Sequence, residues 1–195
     1  MGCKHVCWTG SIQQMTEGIF SKWQPHYAEK RIATFPVGHH KKPQIKRWNQ
    51  LGLGGSTRLA RRFTQANAIG FQVGPRSQIT VLDVDTDNEG ILADALREHG
   101  ETPFVVRTGG GYHAYYRYSG EHRRVRPYEN KPIDVLGGGY VVAPPSLSAK
   151  GQYEIIAGTL DDLRNLPPIH AVLDRLRTGT RIEEGKRNNT IFRFA

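Results

Sequence analysis

The stretch Ile79-Thr-Val-Leu-Asp-Val-Asp-Thr-Asp87 opens with a β-branched and aliphatic run, Ile79 to Leu82, that predicts a buried strand. Side chains alternate along a strand, so Asp83 and Asp85 leave on one face while Val84 goes to the other. Two carboxylates separated by about 7 Å of backbone rise repel each other unless a cation lies between them. One or two hard divalent ions with oxygen ligands suit that position. The competing reading makes Asp85, Thr86, Asp87, Asn88 and Gly90 a turn that caps the next helix.

Upstream of this strand the charge is one-sided. Residues 30–82 contain no Asp or Glu, yet they hold Lys30, Arg31, Lys41, Lys42, Lys46, Arg47, Arg58, Arg61, Arg62 and Arg76. With Phe35, His39, His40, Trp48 and Phe63 interleaved, such a run suits phosphates and stacked bases better than an ordinary mixed surface. A solubilising basic face is the alternative. The whole chain of 195 residues carries a net charge of +9 and is 37% hydrophobic, enough for one compact domain with a small appendage. No apolar run approaches the length of a membrane span, and no secretory leader is evident. Cys3 and Cys7 sit at the extreme N-terminus, so no disulfide framework is expected and a reducing, cytoplasmic setting follows. With His5 they offer only three zinc ligands, and Val6 stands where a myristoylation signal needs Ser or Thr.

In chain order, residues 11–28 predict a helix with Ser11 as N-cap and Ile12, Met15, Ile19 and Trp23 at helical spacing, ended or bent by Pro25. A strand over 31–37 follows, then loops around Lys42-Pro43 and around Gly52, Gly54 and Gly55. Thr57 caps a short basic helix to about residue 65, and 68–73 is a strand. Residues 89–99 form an amphipathic helix stopped by Gly100. Strands are expected over 104–107, 112–118, 133–136, 140–143 and 152–157, and helices over 160–165 and 168–177. The pattern is α+β.

Three further pieces bear on chemistry. Thr108-Gly-Gly-Gly-Tyr-His113 joins two strands through glycines whose N–H groups can approach an anion, and Arg107 and His113 flank it. An ordinary hairpin with a surface His is the other reading. Asp134 lies inside the apolar run Ile133-Asp-Val-Leu136, where a lone carboxylate is costly without a partner such as a shared cation. Gly137-Gly-Gly-Tyr-Val-Val-Ala-Pro-Pro-Ser146 is expected to turn the Asp134 strand back alongside residues 140–142.

The ordered series Lys42-Pro43…Trp48, Asn67-Ala-Ile-Gly-Phe-Gln-Val-Gly74, Val81-Leu-Asp-Val-Asp85, Arg107-Thr-Gly-Gly-Gly-Tyr-His113 and Ile133-Asp134…Val141-Val-Ala-Pro-Pro-Ser146 resembles the primase-polymerase (Prim-Pol) branch of the archaeo-eukaryotic primase superfamily. Such domains occur in plasmid, phage and prophage replication proteins. The likeness covers roughly residues 28–156. It implies an RRM-like catalytic core, a mixed or antiparallel sheet flanked by helices, packed on a smaller N-terminal α/β unit. Residues 1–27 would be an N-terminal helical segment, 28–177 the catalytic domain, and 178–195 a linker and the start of a further helical domain that continues past Ala195. By resemblance, Asp83, Asp85 and Asp134 hold two ions, Mg²⁺ or Mn²⁺. His113 contacts the phosphates of an incoming NTP or dNTP, with Arg107, Thr108 and Gly111 beside it. Gly111 departs from the usual Ser-x-His motif, so Thr108 or a backbone N–H must substitute, or nucleotide binding is weaker. Lys42, Lys46, Arg47 and Trp48 would hold the single-stranded DNA template, and a replicative helicase in cis or trans is an expected partner. The implied activity is DNA primase and polymerase. A metal-dependent nuclease and a non-catalytic single-strand or origin-binding module remain the alternatives.

Overall fold

A computed structural model describes residues 17–128 and 130–170. The Cys3/His5/Cys7 group, the Ser11 cap, the segment from residue 171 and the expected C-terminal domain lie outside them. In chain order the elements are α1 (Ile19–Glu29), β1 (Thr34–Pro36), a 3₁₀ turn (Trp48–Gln50), α2 (Leu53–Arg62), β2 (Ile69–Gln72), β3 (Ile79–Val84), α3 (Glu89–His99), β4 (Val105–Thr108), β5 (Gly111–Arg117), β6 (Ile133–Leu136), β7 (Tyr140–Ala143), β8 (Leu147–Ser148), β9 (Gly151–Gln152), β10 (Glu154–Ala157) and a second 3₁₀ turn (Leu160–Arg164).

The strands form two main sheets, α+β in class as expected. One is five-stranded in the order β10-β4-β5-β3-β6, and the other three-stranded in the order β1-β2-β7. Every pairing within them is antiparallel. The period-2 pattern explains how they assemble. On β3, Ile79 and Val81 face a core shared with Phe35, Ile69, Phe71, Val141, Val106 and Tyr115, so this face of the larger sheet packs against the smaller one. Leu82 and Val84 point the other way and join Tyr112, Ala114, Tyr116, Ile133 and Val135, with Leu92 and Ala95 of α3. α1 packs against β1 and β2, and α2 against α1 and β1.

Several expectations are corrected. β7 does not lie beside β6: it pairs with β2, Gln72 opposite Tyr140, while β6 pairs with β3. Gly137–Gly139 therefore carries the chain from one sheet to the other. A Cβ on Gly137 would meet the Glu121 carbonyl oxygen at 2.1 Å, so the crossing runs too close to that backbone for a side chain. Ser146 closes the connection, its buried hydroxyl accepting from the Ile69 N–H at 2.7 Å. Pro25 does not end α1, which runs on to Glu29 with the proline inside it. The expected strand over 31–37 shortens to three residues because Arg31 turns with φ 62°. Pro36 is tolerated there because β1 is an edge strand. Gly54 and Gly55 are not loop residues: α2 begins at Leu53 with Gly52 as N-cap, and Thr57 caps nothing. The last strand starts at Glu154, and the expected 160–165 helix is a 3₁₀ turn. Residues 168–170 are not helical, Pro168 instead bridging to Arg117. Among the described residues, no helix is long and apolar enough to cross a membrane.

Candidate active site

β3 is the axis of the site. Its Asp83 stands directly opposite His113 of β5 on one side and Asp134 of β6 on the other. Alternation puts these three side chains on the face that meets the smaller sheet, where the apolar core stops. Asp85 follows two residues on, with its N–H donating to the Pro132 carbonyl at 2.8 Å. Exposure rises outward: the Asp134 side chain is 11% exposed, Asp83 23% and Asp85 48%.

Basic side chains face these carboxylates. His113 Nε2 lies 3.4 Å from Asp83 Oδ1, and Tyr115 Oη lies 3.5 Å from His113 Nδ1. The Arg126 guanidinium spans the other two, 3.0 Å from Asp85 Oδ2 and 3.7 Å from Asp134 Oδ1, and its backbone N–H donates to Asp134 Oδ1 at 2.8 Å. Asp83 and Asp85 have opposite balances. Burial pushes Asp83 up, but His113, Lys41 and Arg123 outweigh it and hold the carboxyl below its ordinary value. At Asp85 burial and the charge of Asp83, joined by Asp134, outweigh Arg126, and the carboxyl is raised.

The carboxylates separate two clefts. The smaller, about 230 Å³, lies between the sheets and is lined by Asp83, His113, Asp134, Lys41, Arg123 and Tyr153, among others. The larger, about 840 Å³, has Asp85 on one wall and Arg107, Thr108 and Gly109–Gly111 on another, with Lys150 at its edge. Thus the structure gathers Asp83, Asp85, Asp134 and His113, but Arg107 opens onto the other cleft. It pairs across the strands with Tyr112, on the face opposite His113, stacks over the Tyr112 ring at 5.8 Å and lies 3.2 Å from Glu89. The Thr108 hydroxyl accepts from the Gly110 N–H within the two-residue turn between β4 and β5. Gly111 is where the Ser of the usual motif is missing. A Cβ there would lie 1.9 Å from the Val84 carbonyl oxygen, so the end of β3 occupies the space a side chain needs. Asp87 spends its carbonyl on the Tyr112 hydroxyl, and Asn88, not Asp87, caps α3.

Lys42, Lys46 and Arg47 are exposed on the turn after β1, and Trp48 is half-buried against Phe35 and Tyr140. Lys41, which the sequence placed in the basic run but not among the expected template contacts, is the residue that enters the small cleft. It adopts φ 61°, and its ammonium lies 5.7 Å above the Tyr153 ring. Arg123 and Arg126 were also missed because they come from an irregular segment beside β6, tied to it by the Arg124–Val135 bridge. The surplus of cations in a basic chain carried no signal for which would converge.

Among the described residues no three His, Cys, Asp or Glu side chains are drawn together as a finished metal cage. The donor set nevertheless fits hard divalent ions. All three carboxylates offer oxygen, Asp85 and Asp134 share one ion-pair partner, Arg126, and the charges of Asp83 and Asp134 still raise Asp85. Compared with known families, the chain matches the family model described as bifunctional DNA primase/polymerase, N-terminal (Prim-Pol), over residues 24–169. The comparison with curated proteins gave no match.

Proposed function

The chain belongs to the Prim-Pol family of bifunctional DNA primase/polymerases, and on that premise we propose that it is a template-directed nucleotidyltransferase. It makes or extends primers on single-stranded DNA in the replication of a plasmid, phage or prophage element. The reaction joins the 3′-oxygen of a primer, or of a first nucleotide, to the α-phosphate of an incoming NTP or dNTP and releases pyrophosphate. The observation that carries this reading is the row His113–Asp83–Asp134 across three neighbouring strands, with Asp85 at its open end.

Asp83, Asp85 and Asp134 would hold two Mg²⁺ or Mn²⁺ ions. When bound, these supply a lowered pKa at the attacking oxygen and neutralise the leaving pyrophosphate. The incoming nucleotide is assigned to the larger cleft, because 840 Å³ falls in the range of about 300–1,000 Å³ typical of small-molecule sites and 230 Å³ does not. That cleft is lined by Asp85, Asp87, Glu89 and Glu154 against Arg107 and Lys150, so a triphosphate is held there as its divalent-ion complex. Arg107, Lys150 and the turn N–H groups orient its phosphates. His113 lines the small cleft beside Asp83 and helps hold that carboxyl below its ordinary value. The cationic small cleft, with Lys41 and Arg123, takes the nucleic-acid strand, which continues past Tyr140 and Trp48 towards Lys42, Lys46 and Arg47.

The test is synthesis on a circular single-stranded DNA, primed and unprimed, with NTPs, dNTPs or both and each metal in turn. Labelled product that grows with pyrophosphate release is the expected result. Shortening of a labelled oligonucleotide would make the protein a nuclease, and strand binding without either reaction would make it a binding module.

A further inference from the structure

A third cavity, about 120 Å³, lies outside the carboxylate site and is not used by the proposed reaction. It is lined by Arg31, Trp48, Gln72, Arg76, Ser77 and the Gly52–Leu53 start of α2, among others. Two polar atoms in its wall, Gln72 Oε1 and Ser77 Oγ, are shut off from solvent and have no hydrogen-bond partner among the described residues. Buried polar groups are rarely left unpaired, so two in one small cavity mark a place that is incomplete by itself.

What completes it is set by charge. Every lining residue falls within the acid-free residues 30–82, so no carboxylate from the wall opposes an anion. Arg31 is exposed, and none of its side-chain contacts to the described residues is a hydrogen bond or ion pair. The Arg76 guanidinium is fixed by the Asn49 and Gln50 carbonyls, each at 3.3 Å. α2 starts here without a side-chain cap, leaving its first N–H groups available. To reach an anion, Ser77 rotates its hydroxyl out and Gln72 turns its NH₂ inward, since both oxygens are shut off in this structure. The cavity's volume of about 120 Å³ gives room for one phosphate group.

The cavity also adjoins the site already described. Gln72 pairs directly with Tyr140, which lines the small cleft, and Trp48 packs on Tyr140 with ring centroids 4.9 Å apart. We propose that this pocket binds one backbone phosphate of a single-stranded nucleic acid running out of the small cleft across Trp48. The inference rests on the reading of the protein as a strand-handling nucleotidyltransferase and adds an anchor that fixes the register of the strand.

Fluorescence anisotropy of a labelled oligo-thymidylate across a salt series tests it, using the full chain. Arg31→Glu and Ser77→Asp are compared with Lys22→Glu, an exposed position on α1 with the same charge change as Arg31→Glu, and thermal melting checks that each variant folds. The expected result is a loss of about tenfold in affinity for Arg31→Glu and for Ser77→Asp. Arg31→Glu should also flatten the log–log salt slope by about 0.7, whereas Lys22→Glu changes little. Equal losses for Arg31→Glu and Lys22→Glu would overturn the pocket, reducing it to a general basic face. So would a loss confined to ATP binding, which would make a free nucleotide the phosphate source. The two readings fail separately. Strand binding that depends on Arg31 without nucleotide addition sinks only the catalytic reading, and nucleotide addition with strand binding indifferent to Arg31 sinks only the pocket.

Discussion

The five-stranded and three-stranded sheets share one apolar core but bring opposite charge to the cleft between them. The larger sheet contributes Asp83 and Asp134, with Asp85 at the end of β3. The smaller one, β1, β2 and β7 together with α2, contains no acidic residue, and the turn after β1 supplies Lys41. The division has a physical use. Carboxylates gathered on a buried sheet face need compensation: His113 and Arg126 supply it from their own side of the cleft, and Lys41 adds to it from the other. Under the proposed function, a polyanionic strand would lie along the cationic groups and present its end to ions held by the carboxylates.

If the acidic wall exists to hold divalent ions, a chelator abolishes nucleotide addition completely, and Mg²⁺ or Mn²⁺ restores it. Strand binding, which belongs to the other wall, persists throughout. Gel assays of extension and of binding, run in parallel, separate the two. The next largest effect is structural. Gly111→Ser restores the residue type usual in related motifs, yet it drives a Cβ against the Val84 carbonyl. Overpacking of this kind costs about 1–3 kcal/mol, lowering the melting temperature by roughly 2–12 °C in a chain of this size. A variant as stable as the parent would show that the end of β3 yields there.

A smaller effect sets Asp83 against Asp85 in metal-free protein. Asp83 is held low, so its contribution to stability is present above the ordinary carboxylate pKa and lost as pH falls through its depressed value. Asp85 is raised, so its contribution is present below the ordinary pKa and lost as pH rises through its raised value. At neutral pH Asp83→Asn should therefore lower the melting temperature, while Asp85→Asn, half-exposed and screened, should leave it unchanged or raise it by roughly 1–2 °C. Carbon-detected titration should show Asp85 taking its proton at higher pH than Asp83. The smallest effects belong to the rim: Lys42→Ala and Lys46→Ala should each reduce the salt slope of strand binding by about 0.7 and leave extension at saturating DNA unchanged.

Much of the acidic wall was legible because its signals are local. Alternation along residues 79–85 put Asp83 and Asp85 on one face, and Asn88 to Gly100 bounded α3 as written. The glycines between Thr108 and Tyr112 left an anion-cradling loop and an ordinary hairpin both open, and a two-residue hairpin turn formed. The cationic wall was less legible because its geometry is set at a distance. Nothing local says that β7 leaves β6 for β2, since both neighbours offer similar apolar strands. Lys41 and Lys42 differ only in which one takes φ 61° in a turn, and that decides which enters the cleft. Gly54 and Gly55 favour a loop by propensity, but tertiary packing made them the first turn of a helix. Arg123 and Arg126 lie in an irregular segment whose path follows from its bridge to β6.

The central claim is that Asp83, Asp85 and Asp134 act as one catalytic set for nucleotidyl transfer. It is tested most directly by single-nucleotide incorporation on a primed single-stranded template, measured beside strand affinity, for the wild type and for Asp83→Asn, Asp85→Asn and Asp134→Asn. The account predicts that each substitution lowers incorporation by about 10²–10³-fold or more while strand affinity stays within about twofold of wild type. Incorporation at the wild-type rate by any one of the three would contradict it.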